Sequence, residues 1–250
     1  MENRQVLLLS GNQLFPGVEP ELSERYQKWQ SEVYTPLRLS VSGTRGADQY
    51  KILNQNPQYP SSLLTYHLEN IKEAEKSFKD PDRTALVKDI KTWIDRRVMQ
   101  YFWSNWYELI KSFRNEVDQV ITKQETMVED APFLHIEGYR LSLENRDKYE
   151  KWLDDYGFNV LIPLLVKLPG IKAYNFYKDT GLKGSGIMPM REWEYPEFLS
   201  VLYFENQTAF EDYNKSPELL SFHKAIANIF PSGLNYKWYV QYQLVRSWRK

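Results

Sequence analysis

The chain of 250 residues contains no cysteine, which excludes disulfides, thiolate metal sites and a cysteine nucleophile. It has no excess of either charge: 32 Lys and Arg stand against 33 Asp and Glu, without the basic surplus that is typical of nucleic-acid-binding proteins. Long apolar runs are also missing. The stretch Val6 to Leu9 is too short for a signal peptide, and no later stretch reaches the length of a membrane span. We therefore expect a cytoplasmic protein whose partners include neither nucleic acid nor a membrane.

Histidine is scarce, with 3 residues, whereas aromatic residues make up 15% of the chain, including 8 Trp and 18 Tyr. Few histidines leave few of the usual acid–base candidates. Bulky rings whose polar ends need partners suit the lining of a cavity, so we expect a small apolar or aromatic ligand. Acidic pairs such as Asp154-Asp155 have no histidine at ligand spacing, so the sequence indicates no metal site. We predict no cofactor either.

The sequence is similar to itself. A segment that begins at Pro60 matches, without a gap, one that begins at Pro196, and upstream Gly43 matches Gly170. Such self-similarity shows which segments form equivalent units, and it predicts a tandem duplication. We expect two domains, residues 1–128 and residues 129–250, joined by the polar stretch from Glu125 to Ala131.

Each copy shows the same order of elements. Apolar or alternating runs predict strands, and apolar positions at spacings of three and four predict helices. The predicted strands are Val6 to Leu9, Gln49 to Leu53, Ser62 to Leu68 and Val98 to Ile110 in the first copy, and Phe133 to Leu143, Ala173 to Lys178, Phe198 to Phe204 and Tyr236 to Val245 in the second. The second helix of each copy contains a proline, Pro81 or Pro217, where a helix must kink or restart. Each copy therefore reads β-α-β-β-α-β, the ferredoxin-like unit, and the fold class is α+β.

The second copy also resembles a known family. Lys148 to Leu153, followed by Ile162 to Tyr174 with its Pro-Leu run and its Pro169-Gly170 turn, resembles the EthD-like branch of the dimeric α/β-barrel superfamily. The resemblance implies that two ferredoxin-like units pack sheet against sheet, here within one chain. The protein is then a monomer that forms a pseudo-dimer, or a homodimer. The first copy has Tyr34 where that branch often has a catalytic histidine.

Two pairs of residues are candidates for proton transfer. His135 lies on the first strand of copy two, where the resemblance to some superfamily members places a functional histidine, and Tyr213 lies in a segment that resembles the substrate-binding tyrosine of cyclase-type relatives. Those relatives have a catalytic histidine where this chain has Leu219. The second pair is Tyr34 with His67. A tyrosine can donate a proton to a developing oxyanion while a histidine takes one up.

The face of the sheet decides the role of His67. It shares a side of its strand with Leu63 and Thr65, and Tyr203 occupies the matching position in copy two. If this side faces a cavity, both residues line it. If it faces the helices, both are satisfied core groups. His223 is expected to pack at a helix edge.

Further substrate-binding candidates are Tyr203, Trp238 in the aromatic last strand, and Arg191 and Trp193 in the loop inserted between residues 179 and 195. A solvated loop is the alternative for the last two. The sequence predicts a cofactor-independent enzyme that uses His/Tyr proton transfer on an aromatic or polyketide-like substrate, as a cyclase, isomerase, lyase or cofactor-free monooxygenase. Two alternatives stay open: a haem-binding protein similar to the chlorite-dismutase-like branch, and a non-catalytic stress-related or ligand-binding protein.

Overall fold

The computed structural model describes residues 4–54, 56–77, 79–116, 119–182, 195–229 and 235–250. Contacts between these residues divide the chain into two units. Unit 1 comprises the described residues within 1–108, 179–182 and 242–250, and unit 2 those within 109–178, 195–229 and 235–241. The boundary predicted between residues 128 and 129 follows the repeat of the sequence. The contacts group the chain differently, because its two longest strands each contribute one half to each unit.

The first series of elements begins near the amino terminus and runs to Glu116. It consists of β1 (Val6–Leu14), α1 (Pro20–Trp29), a π-helical segment (Gln30–Tyr34), α2 (Thr35–Ser40), β2 (Thr44–Ile52), β3 (Ser62–Leu68), α3 (Ile71–Ser77), α4 (Pro81–Asp95) and β4 (Met99–Glu116).

After β5 (Gln119–Thr122), the second series repeats this order. It consists of β6 (Phe133–Arg140), α5 (Leu143–Trp152), a π-helical segment (Leu153–Leu161), α6 (Ile162–Val166), β7 (Ile171–Asp179), β8 (Phe198–Phe204), α7 (Gln207–Lys215), α8 (Pro217–Ile229) and β9 (Asn235–Arg249).

The strands follow the order β1-β3-β2-β9-β6-β8-β7-β4-β5, and β1 pairs additionally with β4. In unit 1, β3 lies between β1 and β2, and the final part of β9 pairs with β2. In unit 2, β8 lies between β6 and β7. The predicted fold class is confirmed: the protein is α+β, and each of its two series of elements follows the ferredoxin-like order.

Local sequence explains where several elements begin. Pro81 and Pro217 each start a new helix, so the restart expected at these prolines is confirmed. Asn206 ends a turn before α7, and its side-chain oxygen accepts a hydrogen bond from the Ala209 amide at 2.8 Å. Asn70 accepts one from the Glu73 amide at 3.0 Å. These contacts satisfy amides that the first turn of a helix leaves without a carbonyl partner.

The turns before β2 and β7 have the same construction. Gly43 has a φ of 74° and Gly170 a φ of 77°, in the left-handed region that favours glycine. A Cβ atom at Gly43 would lie 2.2 Å from the Glu73 Cβ, and one at Gly170 would lie 2.3 Å from the Ala209 Cβ. A bulge follows at the first residues of each strand. The two turns therefore require glycine for conformation and for space.

The helices of each unit cover one face of its strands. In unit 1 this layer contains Val6, Leu8, Leu64, Tyr66, Leu68 and Trp106. In unit 2 the corresponding layer is larger and more aromatic, with Tyr139, Tyr149, Phe158, Tyr174, Phe176, Phe198, Phe204, Phe210, Tyr213 and Phe222. None of the helices in the described ranges is long and apolar enough to cross a membrane.

The structure extends the predicted elements more often than it moves them. β3 and β8 have the predicted bounds, Ser62–Leu68 and Phe198–Phe204. β2 begins at Thr44 rather than at Gln49, and β4 continues to Glu116. β5 and the π-helical segments were not predicted, because their local sequences carry no period of their own.

Candidate functional site

The described structure settles which face of the strands carries His67 and Tyr203. Leu64, Tyr66 and Leu68 pack against the helices of unit 1, so the alternating residues Leu63, Thr65 and His67 lie on the other face. In unit 2, Leu202 and Phe204 pack against the helices. Tyr203 therefore lies on the face turned away from the helices of its unit, as His67 does.

His67 is part of a chain of three polar side chains in unit 1. Its Nε2 atom lies 2.9 Å from Oδ2 of Asp48, and Nη1 of Arg249 lies 2.8 Å from Oδ1 of the same carboxylate. His67 and Asp48 are buried, with 2% and 3% of their surface exposed. The Arg249 side chain is 33% exposed, so the chain runs from a buried imidazole to the surface. We call these residues the His67 triad.

Asp48 is held in its ionised form. Burial by itself raises its pKa, but the hydrogen bond and charge of His67, the Ser247 hydroxyl and the Arg249 charge outweigh burial, and the pKa of Asp48 lies below its usual range. A carboxylate that accepts from Nε2 orients the imidazole and fixes its tautomer. A neighbouring carboxylate also stabilises an imidazolium relative to a neutral imidazole.

The strand register identifies what surrounds the imidazole. His67 lies opposite Leu7 on β1 and opposite Gly46 on β2, and Leu7 in turn lies opposite Tyr107 on β4. Leu7 and Tyr107 are buried, and both share the face of His67 because directly paired residues point to the same side of a sheet. The imidazole therefore shares its face of the sheet with an apolar and an aromatic side chain.

Unit 2 has the same arrangement with different chemistry. Tyr203, Asn175 and Arg114 lie on β8, β7 and β4, and Nη1 of Arg114 donates to Oδ1 of Asn175 at 2.7 Å. Asn175 in turn donates to the Tyr177 hydroxyl at 2.8 Å. Burial raises the pKa of Tyr177 well above its usual value, and Tyr203 raises it further. A neutral amide and two phenols thus replace the carboxylate and imidazole of unit 1.

Arg114 is occupied by structural contacts. Its two terminal nitrogens donate to Ser112, Asn175 and the carbonyls of Phe113, Glu125 and Met127. A polar cavity of about 240 Å³ borders it, lined also by Asn115, Glu116, Lys123, Glu125, Met127, Val128, Glu129 and Lys172. Two of its lysines form ion pairs, Lys123 with Glu116 and Lys172 with Glu205. Arg114 therefore holds residues 125–127 against β4 through hydrogen bonds.

His135 lies in the helix-covered layer of unit 2. Its Nε2 atom is 3.1 Å from Oε1 of Glu137, and the residue is 0% exposed. Its ring centroid is 4.4 Å from that of Tyr239 and 5.3 Å from that of Phe210. Within the described structure, its buried Nδ1 atom has no hydrogen-bond partner. This second histidine–carboxylate pair is enclosed by rings.

The predicted partner of His135 belongs to the same layer. Tyr213 is 3% exposed and its ring centroid lies 5.6 Å from that of Phe204. Ring contacts connect it to His135 through Phe204 and Phe210, at centroid distances of 5.5 and 5.3 Å. The structure thus places the two residues in one aromatic layer, and the hydrogen-bond partner of His135 is Glu137 rather than a tyrosine.

The other predicted site residues lie elsewhere in the fold or outside the described residues. Tyr34 packs on the helix side of unit 1, with its ring 5.3 Å from that of Trp29, so it and His67 lie on opposite faces of the strands. The Tyr34/His67 pair is not brought together. Trp238 is buried at 2% exposure, and strand alternation puts it on the face opposite Tyr239. Arg191 and Trp193 lie outside the described residues.

Asp48, Glu137 and Arg249 were missed by the sequence reading. Each is a charged residue inside a strand, and the sequence does not show which charged strand residues are hydrogen-bonded to a histidine or to its carboxylate partner. If the second strand is extended to Thr44, Asp48 lies on the same face as Tyr50. This alternation was the sequence signal available for Asp48. No group of three or more His, Asp or Glu residues suited to a metal ion occurs in the described structure.

Comparisons with known proteins identify solved structures that share the fold of this chain. No protein-family model matches the chain, and no curated protein sequence does either. An anthrone oxidase-like protein superposes with a TM-score of 0.62 at 11% identity, covering 99% of this chain and 94% of its own. A proposed monooxygenase of Fusobacterium nucleatum subsp. nucleatum has a TM-score of 0.62 at 9% identity, with 100% and 96% coverage. A mutant chlorite dismutase of Candidatus Nitrospira defluvii has a TM-score of 0.56 at 10% identity, with 98% and 93% coverage. At these identities the similarity shows a shared fold.

Proposed function

We propose that the protein is a cofactor-independent enzyme that removes a proton from a small aromatic or polyketide-like substrate, with His67 as the acid–base residue. The observation that carries this proposal is the His67 triad. Its buried imidazole is hydrogen-bonded to a buried carboxylate at 2.9 Å, and the same carboxylate is hydrogen-bonded to a partly exposed guanidinium at 2.8 Å. We also propose that the matching element order of the two halves reflects a tandem duplication and that the chain belongs near the EthD-like branch.

The proton would move from an acidic carbon or phenol of the substrate to the imidazole of His67, and the substrate would keep the electron pair as an enolate or phenolate. Asp48 acts as a positioning residue, because it holds the imidazole through Nε2 and stabilises the imidazolium. Leu7 and Tyr107 on the same face suit an apolar, aromatic substrate. An enolate can cyclise, isomerise, fragment or react with dioxygen, which covers the reaction classes expected from the sequence.

The names of two structural neighbours, an anthrone oxidase-like protein and a proposed monooxygenase, favour oxygenation among these classes. Anthrone is a suitable probe because its methylene group is acidic. Its oxidation is balanced without a cofactor: anthrone and O2 give anthraquinone and water. The base removes the first proton, and the resulting anion supplies the electrons to oxygen.

Haem chemistry, which the chlorite dismutase neighbour brings into consideration, does not fit the buried histidines. Each directs its Nε2 atom to a carboxylate, at 2.9 Å for His67 and 3.1 Å for His135. Within the described residues the other nitrogen of His135 has no hydrogen-bond partner, but the rings of Phe210 and Tyr239 contact this imidazole, and a porphyrin would have to displace them.

Oxygen uptake with anthrone tests the proposal. We expect the wild type and H223A, which changes a histidine on the exposed side of α8, to consume oxygen at equal rates and to form anthraquinone. H67Q keeps a polar side chain of similar size but has no base, so we expect a loss of about 100-fold or more. Circular dichroism would establish that each variant is folded. Equal rates in folded H67Q and wild type would refute His67 as the base, and equal loss in H223A would refute the assignment to this site.

A further inference from the structure

A second polar cluster lies in unit 1, on the opposite face of the strands from the His67 triad. Arg38, on the short helix α2, is 3% exposed, and both of its terminal guanidinium nitrogens are buried without a hydrogen-bond partner in the described structure. Its Cζ atom lies 5.4 Å from the ring centroid of Tyr66 on β3. Within the described residues Arg38 forms no ion pair, so its charge is enclosed and not neutralised.

Two further buried hydroxyl groups lie in the same helix–sheet layer. Thr35 lies one helical turn before Arg38 on α2, and Thr44 is the first residue of β2, opposite Leu68 on the helix-covered face. Thr35 is 0% and Thr44 is 2% exposed, and neither hydroxyl has a hydrogen-bond partner in the part of the chain that the structure describes. Three buried donor groups without acceptors therefore lie in one helix–sheet layer.

The corresponding positions of unit 2 show that the fold does not require these polar residues. Pro36 and Pro163 occupy the second position of α2 and α6, and Gly43 and Gly170 precede β2 and β7. These anchors equate each polar residue with a buried aliphatic one: Thr35 with Ile162, Arg38 with Leu165, and Thr44 with Ile171. The aliphatic residues are 0%, 1% and 1% exposed and belong to the hydrophobic core. Unit 1 thus has a polar cluster where unit 2 has ordinary core packing.

An enclosed guanidinium without acceptors is strongly unfavourable, whereas a carboxylate matches its planar fork with two parallel hydrogen bonds. We call Arg38, Thr35 and Thr44 the Arg38 cluster. We propose that this cluster binds a small monocarboxylate with an apolar body. The carboxylate would accept from Arg38 and from the hydroxyls of Thr35 and Thr44. Its apolar part would contact the surrounding side chains of this layer, which include Leu8, Leu39 and Trp106. This site is separate from the proposed reaction of His67.

Calorimetric titration with sodium benzoate tests the proposal, with benzamide as the neutral ligand of the same shape. The key variant is R38L, which installs the residue that unit 2 has at this position. R25L, on the exposed side of α1, makes the same change of charge and serves as the matched control. We expect benzoate to bind wild type and R25L equally, benzamide to bind weakly, and R38L to lose at least about tenfold in benzoate affinity.

Two further variants, R38K and H67Q, and a thermal melt of R38L also test the proposed carboxylate site. R38K keeps the charge without the fork, so we expect it to bind benzoate more weakly than wild type. In the absence of benzoate we expect R38L to melt at a higher temperature than wild type, because an unneutralised buried charge is removed. H67Q should bind benzoate normally, which separates this site from the proposed reaction. Equal benzoate affinity in wild type, R38K and R38L, or no binding of benzoate and phenylacetate to wild type up to about 10 mM, would overturn the proposal.

Discussion

Replacing Asp48 by asparagine tests the His67 triad through stability, without knowledge of the substrate. Asparagine is the residue that unit 2 carries in its corresponding polar chain, at Asn175, so the substitution is compatible with this fold. D48N keeps the shape and one acceptor oxygen but removes the charge that His67 and Arg249 share. Each hydrogen bond to a charged group is worth about 1.5–3 kcal/mol. Because Arg249 is partly exposed and can be solvated, we expect D48N to lose about 2–3 kcal/mol at pH 7.

The stability difference between wild type and D48N should depend on pH. The pKa of Asp48 is lowered in the folded protein, so its ionised form contributes stability that is fully present above the unfolded value, about 3.9. That contribution is lost as the pH falls through the folded value. The difference between wild type and D48N should therefore be largest near neutral pH and shrink below about pH 4.

Equilibrium urea unfolding from pH 3 to pH 8 measures both quantities. D89N, which neutralises an exposed aspartate on α4, is the matched control, and we expect its unfolding free energy to stay within about 0.5 kcal/mol of wild type. If D48N and D89N unfold alike at pH 7, or if the loss in D48N does not depend on pH, the argument that a buried ionised carboxylate organises this site is refuted.

Two further substitutions test the scaffold around the sites, each by equilibrium unfolding. G43A forces a left-handed residue to carry a Cβ that would lie 2.2 Å from the Glu73 Cβ, so we expect it to cost about 1–3 kcal/mol more than G17A, where φ is 81° and no atom lies within 4 Å. Equal losses would show that α3 adjusts freely. R114M removes the donors that hold the carbonyls of residues 125 and 127, so we expect a loss of about 3 kcal/mol and faster hydrogen exchange in that segment. Unchanged exchange there would contradict the fastening role of Arg114.

The sequence was sufficient for the fold because the signals for its elements are local. Period-two runs located β3 and β8 to the residue, and Asn70, Asn206 and the prolines at the helix starts placed their boundaries. β5 was missed because four residues are too few for a period to be visible. The self-similarity of the chain predicted the repeated order of elements, although not the way in which contacts divide the chain.

The candidate site was less predictable, because its partners come from distant parts of the chain. His67 was recognised as a histidine on a strand, but its neighbours Asp48 and Arg249 are separated from it by 19 and 182 positions. Only the pairing of β2 with both β3 and β9 brings these three side chains together. Tyrosines were preferred as partners because the resemblance suggested them, whereas both buried histidines are bonded to carboxylates. Arg38 looks in the sequence like any surface arginine on an amphipathic helix.

The sharing of β4 and β9 between the units makes the two halves of the chain dependent on each other. A fragment of residues 1–128 would contain β2 without the strand that pairs with its second edge, and this edge would be open to association with other chains. Such a fragment would also lack Arg249 beside Asp48. Cleavage between residues 128 and 129 should therefore yield two pieces that recover a folded state only when mixed, which makes this protein a candidate for controlled reconstitution from fragments.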